Sequence, residues 1–404
     1  MRGLAGHVTR ALEKDLWRSR ELNVRDLYAA DCSLKYEQGT LMNGRPEKKD
    51  VSIEGLRLVS SLAILIHHFL PYATGQGVLF GGSLQIFVDL FFVISGIVIS
   101  KAYGHRVSSW PEYGLFMQRR LARIYPLHLA TLAFFALQGY ISYREIIHVN
   151  NPERYRLSAI PSNLLLTQSW FPDGVFSFNQ VTWSISAELF CYLIFPLIAL
   201  IMLRKPKLGA LFLIVLAISC AALSWALYGR LFIELVTTTA QLRALPSFCF
   251  GVWLTTIEPS LTRFVPKRIA PITTLALSVI ALILAVFSWN YALLLVVWAL
   301  VAVVYASDIT GAPTIFSGRF LSGGGKLTYS IYMIHPIIAS AFLAFAGPKF
   351  LGTSTLAAYG SFVIAVVTTF VLAQISYRYF EEPLRQRLGK SLFQVRDAHT
   401  GAMN

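Results

Sequence analysis

Long apolar runs alternate with short polar segments along most of the chain. From about residue 53, ten runs approach the length of about 20 residues that a helix needs to cross a membrane. They fall at 53–73, 82–102, 121–141, 182–203, 208–228, 236–257, 269–288, 290–306, 326–346 and 355–379. Since spanning segments must satisfy their own backbone polar groups, the pattern predicts an all-α polytopic membrane protein with about ten transmembrane helices. Because the run 290–306 is short, the number of transmembrane spans in region 269–306 stays open.

The composition agrees with this fold class. Of 404 residues, 55% are hydrophobic and 14% are charged, whereas an average soluble domain has about 25% charged residues. The mean hydropathy is +0.57. These values exclude a disordered chain and argue against a soluble enzyme.

The net charge of +14 points to membrane topology, because the basic residues gather in short segments between apolar runs. Loops rich in Lys and Arg remain in the cytoplasm. We therefore expect both termini to be cytoplasmic and expect no nucleic-acid partner. The predicted parts are a polar cytoplasmic N-terminal extension (1–50), which lacks signal-peptide features, a membrane domain (51–385) and a cytoplasmic C-terminal tail (386–404).

Ionisable side chains inside the predicted spans are functional candidates, because a charge in hydrocarbon is costly. In chain order they are Arg57, His67, His68, Asp89, Arg119, Arg120, Arg123, Glu188, Arg243 and His335. Arg57 and His68 share a helix face and lie about 16 Å apart along the axis, so they could contact the two ends of one long ligand. His67 points away from that face and is the weaker candidate.

Three of these residues are predicted to form a catalytic cluster. Counted from the span ends, His68, Asp89 and Glu188 lie at a similar depth, about 20 Å from the cytoplasmic face. A carboxylate beside a histidine orients its tautomer and raises its basicity, as a general base requires. Structural roles are the alternative: snorkelling for Arg57, topology for the three arginines of the third span, packing for the histidines and an aromatic belt for Trp183.

Six motifs resemble, in order, those of the membrane acyltransferase 3 family, over about residues 52–385. They are Gly55-Leu56-Arg57 with His68, the segment Asp89 to Gly96, the Arg-x-x-Arg-Ile-x-Pro pattern from Arg120 to Pro126, Trp-Ser-x-Ser-x-Glu from Trp183 to Glu188, Tyr-Ser-x-Tyr-x-x-His from Tyr329 to His335, and Glu382-Pro383. One such motif has little specificity, but six in the right order and spans are highly specific. Two departures are the extension 1–50 and the fourth-span motif, which has Ala187 before a single glutamate where many members carry Val-Glu-Glu.

The resemblance implies an enzyme of the plasma (bacterial inner) membrane that transfers an acyl group, usually acetyl from acetyl-CoA, to a hydroxyl of a carbohydrate. Its partners would be acyl-CoA, a carbohydrate acceptor and the bilayer, with no bound cofactor and no metal. His68 would act as the general base, oriented by Asp89 or Glu188. The donor's phosphates would be held by Arg57, Arg119, Arg120 and Arg123. The acceptor or the tetrahedral intermediate would be contacted by Trp183, Arg243, Tyr332 and His335.

Two alternatives stay open on the sequence alone. Direct transfer and a route through acyl-His68 both fit the residues. A polytopic transporter or flippase for a glycolipid or similar substrate fits the composition as well, although the chain shows no internal repeat.

Overall fold

The computed structural model describes residues 50–75, 83–104, 106–107, 109–147, 149 and 151–389. The predicted N-terminal extension therefore lies outside the described residues except for Asp50, as does most of the predicted tail. The described residues form α-helices joined by turns and short 3₁₀ and π segments. The helices are α1 (Val51–Thr74), α2 (Phe87–Tyr103), α3 (Trp110–Tyr143), α4 (Ile160–Leu164), α5 (Thr182–Met202), α6 (Pro206–Tyr228), α7 (Gln241–Thr256), α8 (Glu258–Phe264), α9 (Ala270–Val286), α10 (Asn290–Thr310), α11 (Arg319–Gly324), α12 (Thr328–Ile338), α13 (Gly347–Leu351), α14 (Thr355–Ser376) and α15 (Glu382–Leu388).

Eight helical stretches of the described chain are long and apolar enough to cross a membrane. They are Val51–Thr74, Ser83–Tyr103, Trp110–Tyr143, Thr182–Met202, Pro206–Tyr228, Asn290–Thr310, Arg319–Leu351 and Thr355–Leu388. Two more predicted runs correspond to α7 and α9, which have 16 and 17 residues. The all-α fold with apolar helices of spanning length is confirmed. The count of about ten and the orientation of the termini stay predictions.

The third helix begins well before its predicted run. Ser109 and Glu112 form a capping box, in which the Glu112 carboxylate accepts from the Ser109 backbone N–H at 3.1 Å, and Pro111 stands in the first turn. Both features favour the start of a helix. The polar first turns of α3 therefore extend the helix beyond its apolar part.

Helices α2 and α7 approach each other closely at two glycines. A Cβ added to Gly96 would lie 2.1 Å from the Phe248 carbonyl oxygen, and one added to Gly251 would lie 2.0 Å from the Val93 carbonyl oxygen. Small residues permit such contacts between membrane helices. The contact brings Asp89 on α2 next to Arg243 on α7.

Helix α1 is central to the bundle and packs against α2, α10, α11, α12 and α14. Two of the helices continue as π-helices, α12 into Ala339–Ala346 and α14 into Tyr377–Glu381. Such wide turns are frequent at functional sites. Both π segments border cavities that α1 also lines.

Candidate active site

Three cavities lead along α1, and we name them the mouth cavity, the inner cavity and the His68 cavity. The mouth cavity, of about 200 Å³, is lined by Glu54, Arg57, Arg123, Lys326, Tyr329, Tyr377, Glu381, Glu382 and Arg385. The inner cavity, of about 110 Å³, shares Arg57, Arg123 and Tyr329 with the mouth and reaches Ser184, Glu188, Tyr192 and Tyr332. The His68 cavity, of about 380 Å³, lies beyond Tyr332 and His335.

Three of the four arginines predicted to bind the donor line the first two cavities. Arg57 lies in both, and its Nη1 is 2.7 Å from Glu54 Oε1. Arg123 also lies in both, and Arg120 lines the inner cavity. The Arg120 guanidinium carbon is 5.1 Å from the centre of the Tyr103 ring, and its buried Nε has no hydrogen-bond partner in the described part of the chain. Arg119 is exposed and lines neither cavity.

The predicted carboxylate of α5 faces the inner cavity. Glu188 Oε1 accepts a hydrogen bond from the Tyr192 hydroxyl at 2.6 Å, and that hydroxyl is 3.2 Å from Ser95 Oγ. Arg120 and Arg123 line the same cavity. Glu188 therefore belongs to the arginine-lined space, and its described hydrogen bond goes to Tyr192 and not to His68.

The predicted carboxylate of α2 is also engaged elsewhere. Asp89 and Arg243 are fully buried, and Arg243 Nη2 lies 2.7 Å from Asp89 Oδ2. Arg243 Nε donates to the same oxygen at 3.0 Å, and Ser247 Oγ is 3.5 Å from Asp89 Oδ1. The Trp183 ring covers the guanidinium, with the guanidinium carbon 5.0 Å from the ring centre. Asp89, Arg243 and Trp183 form a buried cluster that lines none of the three named cavities.

His68 pairs with another histidine instead of a carboxylate. Its Nδ1 lies 3.2 Å from His335 Nε2 and 3.0 Å from the Ile64 carbonyl oxygen. The Nδ1 of His335 lies 3.1 Å from the Ile331 carbonyl oxygen. Because the protein engages Nδ1 of His68, Nε2 is the nitrogen left for a substrate, and His68 lines the cavity named after it. The predicted cluster of His68 with two carboxylates is thus replaced by a pair of imidazoles.

Tyr332 forms the wall between the inner cavity and the two histidines. Its hydroxyl donates to the Val181 carbonyl oxygen at 3.0 Å and lies 2.8 Å from Ser184 Oγ. Its ring centre is 5.9 Å from that of His335, which is 4.9 Å from that of His68. The Tyr332 and His335 side chains therefore stand between the inner cavity and His68.

The His68 cavity has a polar part and an apolar part. Gln138 Nε2 donates to Ser340 Oγ at 2.6 Å, and the Tyr155 hydroxyl donates to Gln138 Oε1 at 3.3 Å. Burial raises the pKa of Tyr155 and outweighs the opposite effect of the nearby Arg154, so the phenol keeps its proton. Phe134 and Phe345 contribute apolar surface. Such a mixed lining suits a ligand that has both hydroxyl groups and apolar faces.

Comparison with known proteins identifies the chain's family. Residues 50–378 match the acyltransferase domain family. The chain belongs to this acyltransferase 3 family, as its six motifs predict. No solved structure matches it.

Named relatives in the family are acyltransferases. Acyltransferase MdmB of Streptomyces mycarofaciens is 34% identical over 155 residues, which cover 36% of this chain and 38% of that protein. Peptidoglycan O-acetyltransferase OatA of Listeria monocytogenes is 25% identical over 376 residues, covering 83% of this chain and 56% of OatA. A putative O-acetyltransferase of Staphylococcus aureus strain COL is 26% identical over 378 residues, covering 84% and 58%. The chain spans less than two thirds of the length of each relative.

Several side chains of this acyltransferase's cavities were not predicted from the sequence. Lys326 and Arg385 in the mouth resemble topology determinants at span ends. Glu381 is recognisable only in three dimensions, where it accepts from Ser330 Oγ at 2.5 Å and from Ser376 Oγ at 2.7 Å. Gln138 did carry a signal, because an amide within the apolar run 121–141 is itself a functional candidate.

Proposed function

We propose that this acyltransferase transfers an acyl group, in the first instance acetyl from acetyl-CoA, to a hydroxyl of a carbohydrate or glycoconjugate such as a cell-surface polysaccharide. The observation that carries the proposal is the order of the cavities: two adjoining arginine-lined spaces, of which the inner one reaches Tyr332, and a larger space lined by His68 on the other side of Tyr332 and His335. Anion-binding residues and a base thus lie on the two sides of one wall of side chains. The names of relatives as O-acetyltransferases support the same reaction.

The arginine-lined cavities suit a donor that carries phosphates and a long arm. Arg57 and Arg123 stand where the mouth and inner cavities meet, and Arg120 has a buried, unpartnered Nε close by. Guanidinium groups bind phosphate oxygens through charge-assisted hydrogen bonds. Acyl-CoA phosphates would bind at this junction, and the pantetheine arm would extend toward Tyr332.

His68 would supply the chemistry at the far end of the path. Its Nε2 removes the proton from the acceptor hydroxyl, the hydroxyl oxygen forms a bond to the acyl carbon, and the carbon–sulfur bond breaks. The proton held on His68 then passes to the departing CoA thiolate or to water, which returns His68 to its neutral form. Because a thioester is already activated, positioning and proton removal account for most of the catalysis.

The path also fits transfer from one side of a membrane to the other. Acyl-CoA is cytoplasmic, so the mouth cavity would face the cytoplasm and the His68 cavity the outer half of the plasma membrane. The basic residues of the mouth agree with that orientation. We therefore keep the proposal of cytoplasmic termini and a bacterial inner-membrane location.

Transfer of labelled acetyl tests the proposal. Membranes that contain equal amounts of wild type, His68→Ala or His67→Ala would receive radiolabelled acetyl-CoA, and label in surface carbohydrate would be counted. Loss of a general base lowers the rate about 10²- to 10⁴-fold. We expect that loss for His68→Ala only, because His67 lines none of the three cavities.

Two results would contradict the proposal in different ways. Equal incorporation by wild type and His68→Ala would leave an acyltransferase but remove His68 as its base. No incorporation by wild type from either acetyl-CoA or succinyl-CoA would exclude transfer from these two donors to the carbohydrate present, and it would direct the next test to transport of a glycolipid.

A further inference from the structure

We propose that His335 is a positioning residue that fixes the tautomer of His68. In this arrangement His335 carries its proton on Nδ1 and accepts the Nδ1–H of His68 through its own Nε2. The unprotonated Nε2 of His68 then faces the substrate. The inference rests on the proposed role of His68 as a base, and it replaces the sequence-based expectation that His335 contacts the acceptor.

The hydrogen-bond partners decide the proton positions. His335 Nδ1 lies 3.1 Å from the Ile331 carbonyl oxygen, and a carbonyl oxygen only accepts, so Nδ1 must carry the proton. A neutral imidazole has one proton, which leaves a lone pair on His335 Nε2. The atom 3.2 Å away, His68 Nδ1, must therefore donate.

The second contact of His68 independently requires the same assignment. His68 Nδ1 is also 3.0 Å from the Ile64 carbonyl oxygen, which is another pure acceptor. A proton on His68 Nδ1 satisfies both neighbours. If the proton moved to Nε2, the Nδ1 lone pair would face the carbonyl oxygen of Ile64 and the lone pair of His335. Only one arrangement of two neutral rings satisfies all three contacts.

Burial keeps His335 from acting on the substrate itself. The residue is 0% exposed and does not line the His68 cavity, although its neighbours Pro336 and Ala339 do. A charged imidazolium at this position would be unfavourable, because no carboxylate of the described chain hydrogen-bonds to it. His335 therefore serves as a neutral acceptor, the role that a carboxylate often fills beside a catalytic histidine.

¹⁵N NMR spectroscopy tests the inference without requiring that the enzyme turn over a substrate. The full chain would be labelled with ¹⁵N only at histidine and reconstituted in lipid, and the His68 signals would be assigned by their loss in His68→Gln. We expect a proton-free Nε2 and a protonated Nδ1 in wild type. In His335→Leu the two tautomers should become mixed. A protonated Nε2 in wild type, or an unchanged spectrum in His335→Leu, would overturn the inference.

Kinetics supply a second readout with a conservative rescue. Loss of the partner that orients a metal-binding histidine typically costs about 10- to 100-fold in affinity or activity, and we expect a similar effect for a general base. We expect His335→Leu to lower kcat by this amount, with little change in KM for acetyl-CoA. His335→Gln should recover most of kcat, because its amide oxygen can accept the His68 proton. Equal kcat values for the two variants would contradict the role.

A matched control separates positioning from a general effect of losing a buried histidine. His128 is 1% exposed, and its Nε2 lies 2.8 Å from the Asn163 carbonyl oxygen, away from His68. His128→Leu should keep the kcat of wild type and the His68 spectrum. If the wild-type protein proves inactive with every acyl-CoA, the spectrum still decides the tautomer, so failure of the proposed function is distinguishable from failure of this inference.

Discussion

Arg243 on α7 donates hydrogen bonds to both oxygens of the Asp89 carboxylate on α2, and water reaches neither side chain. The pair lies about two helical turns from the close contact between Gly96 and Gly251, where the two helices touch. Removal of one charge would leave the other buried without a partner. We interpret the pair as a structural connection between α2 and α7.

The first prediction concerns this ion pair. Asp89→Ala should destabilise the protein by about 3–5 kcal/mol, because breaking a buried pair leaves an uncompensated charge. The double variant Asp89→Asn with Arg243→Gln should recover much of the loss, since two neutral amides can hydrogen-bond to each other. Thermal unfolding in detergent measures both variants. If Asp89→Ala kept full stability while losing all activity, Asp89 would be catalytic, as the sequence suggested.

The second prediction concerns the donor arginines. Arg123→Ala should raise KM for acetyl-CoA about 10- to 100-fold, because a hydrogen bond to a charged group contributes about 1.5–3 kcal/mol. Arg123→Lys should give a smaller rise, since a lysine keeps the charge but loses the planar fork of donors. Steady-state kinetics at saturating acceptor provides the measurement.

Arg119→Ala is the matched control for the donor site, because Arg119 is on the same helix but is exposed and lines neither cavity. Its KM for acetyl-CoA should equal that of wild type. A rise as large as that of Arg123→Ala would show that the donor binds outside the cavities described above.

The third prediction concerns the wall at Tyr332. Tyr332→Phe removes the hydroxyl that is bonded to the Val181 carbonyl oxygen and close to Ser184, while the ring remains. Loss of a bond worth about 1 kcal/mol should increase opening of the wall about fivefold. Water from the His68 cavity would then reach the thioester, so acetyl-CoA hydrolysis without acceptor should rise by a similar factor.

Tyr329→Phe offers the control for this experiment. Tyr329 also lines the inner cavity, but its hydroxyl donates to the Ile124 carbonyl oxygen at 2.6 Å and takes no part in the wall. Hydrolysis by this variant should stay at the wild-type rate. Equal rates in Tyr332→Phe and wild type would mean that Tyr332 does not separate the donor from water.

The fourth prediction concerns the space for the acceptor. Ala344→Leu adds volume to the lining of the His68 cavity and should raise KM for the carbohydrate acceptor while leaving KM for acetyl-CoA unchanged. Ala130→Leu makes the same change at an exposed position of α3 outside the cavity and should behave as wild type. Acceptor titrations at saturating acetyl-CoA distinguish the two. A higher KM for acetyl-CoA in Ala344→Leu would place the donor in this cavity instead.

The sequence predicted the elements better than the contacts between them. All ten apolar runs correspond to helices, because the length of an apolar run is a local property that consecutive residues in the sequence show. Similar depth along separate spans was a poorer guide, since depth says nothing about the rotation of a helix. Asp89 and Glu188 therefore seemed to share a level with His68, yet their hydrogen bonds go to Arg243 and Tyr192.

The contact between His68 and His335 could not be predicted from the sequence for the same reason. His68 and His335 are 267 residues apart, and their contact depends on how α12 packs against α1. The motifs marked both residues as candidates but did not show that they meet. Spacing within one helix is readable from sequence, whereas contact between helices requires the packed structure.

The π-helix Ala339–Ala346 follows directly after the segment that carries His335, and several of its side chains line the His68 cavity. A π-turn holds about one residue more than an α-turn. Deleting one residue there would let the backbone relax to an α-helix, and the side chains after the deletion would nearly keep their present direction around the axis, because the π-turn holds the one extra residue. The His68 cavity would lose part of its lining from this segment, while His335, earlier in the chain, would stay in place. The shape of the His68 cavity thus depends on the number of residues in this segment, and a single deletion would change that shape while the contact between His68 and His335 remains intact.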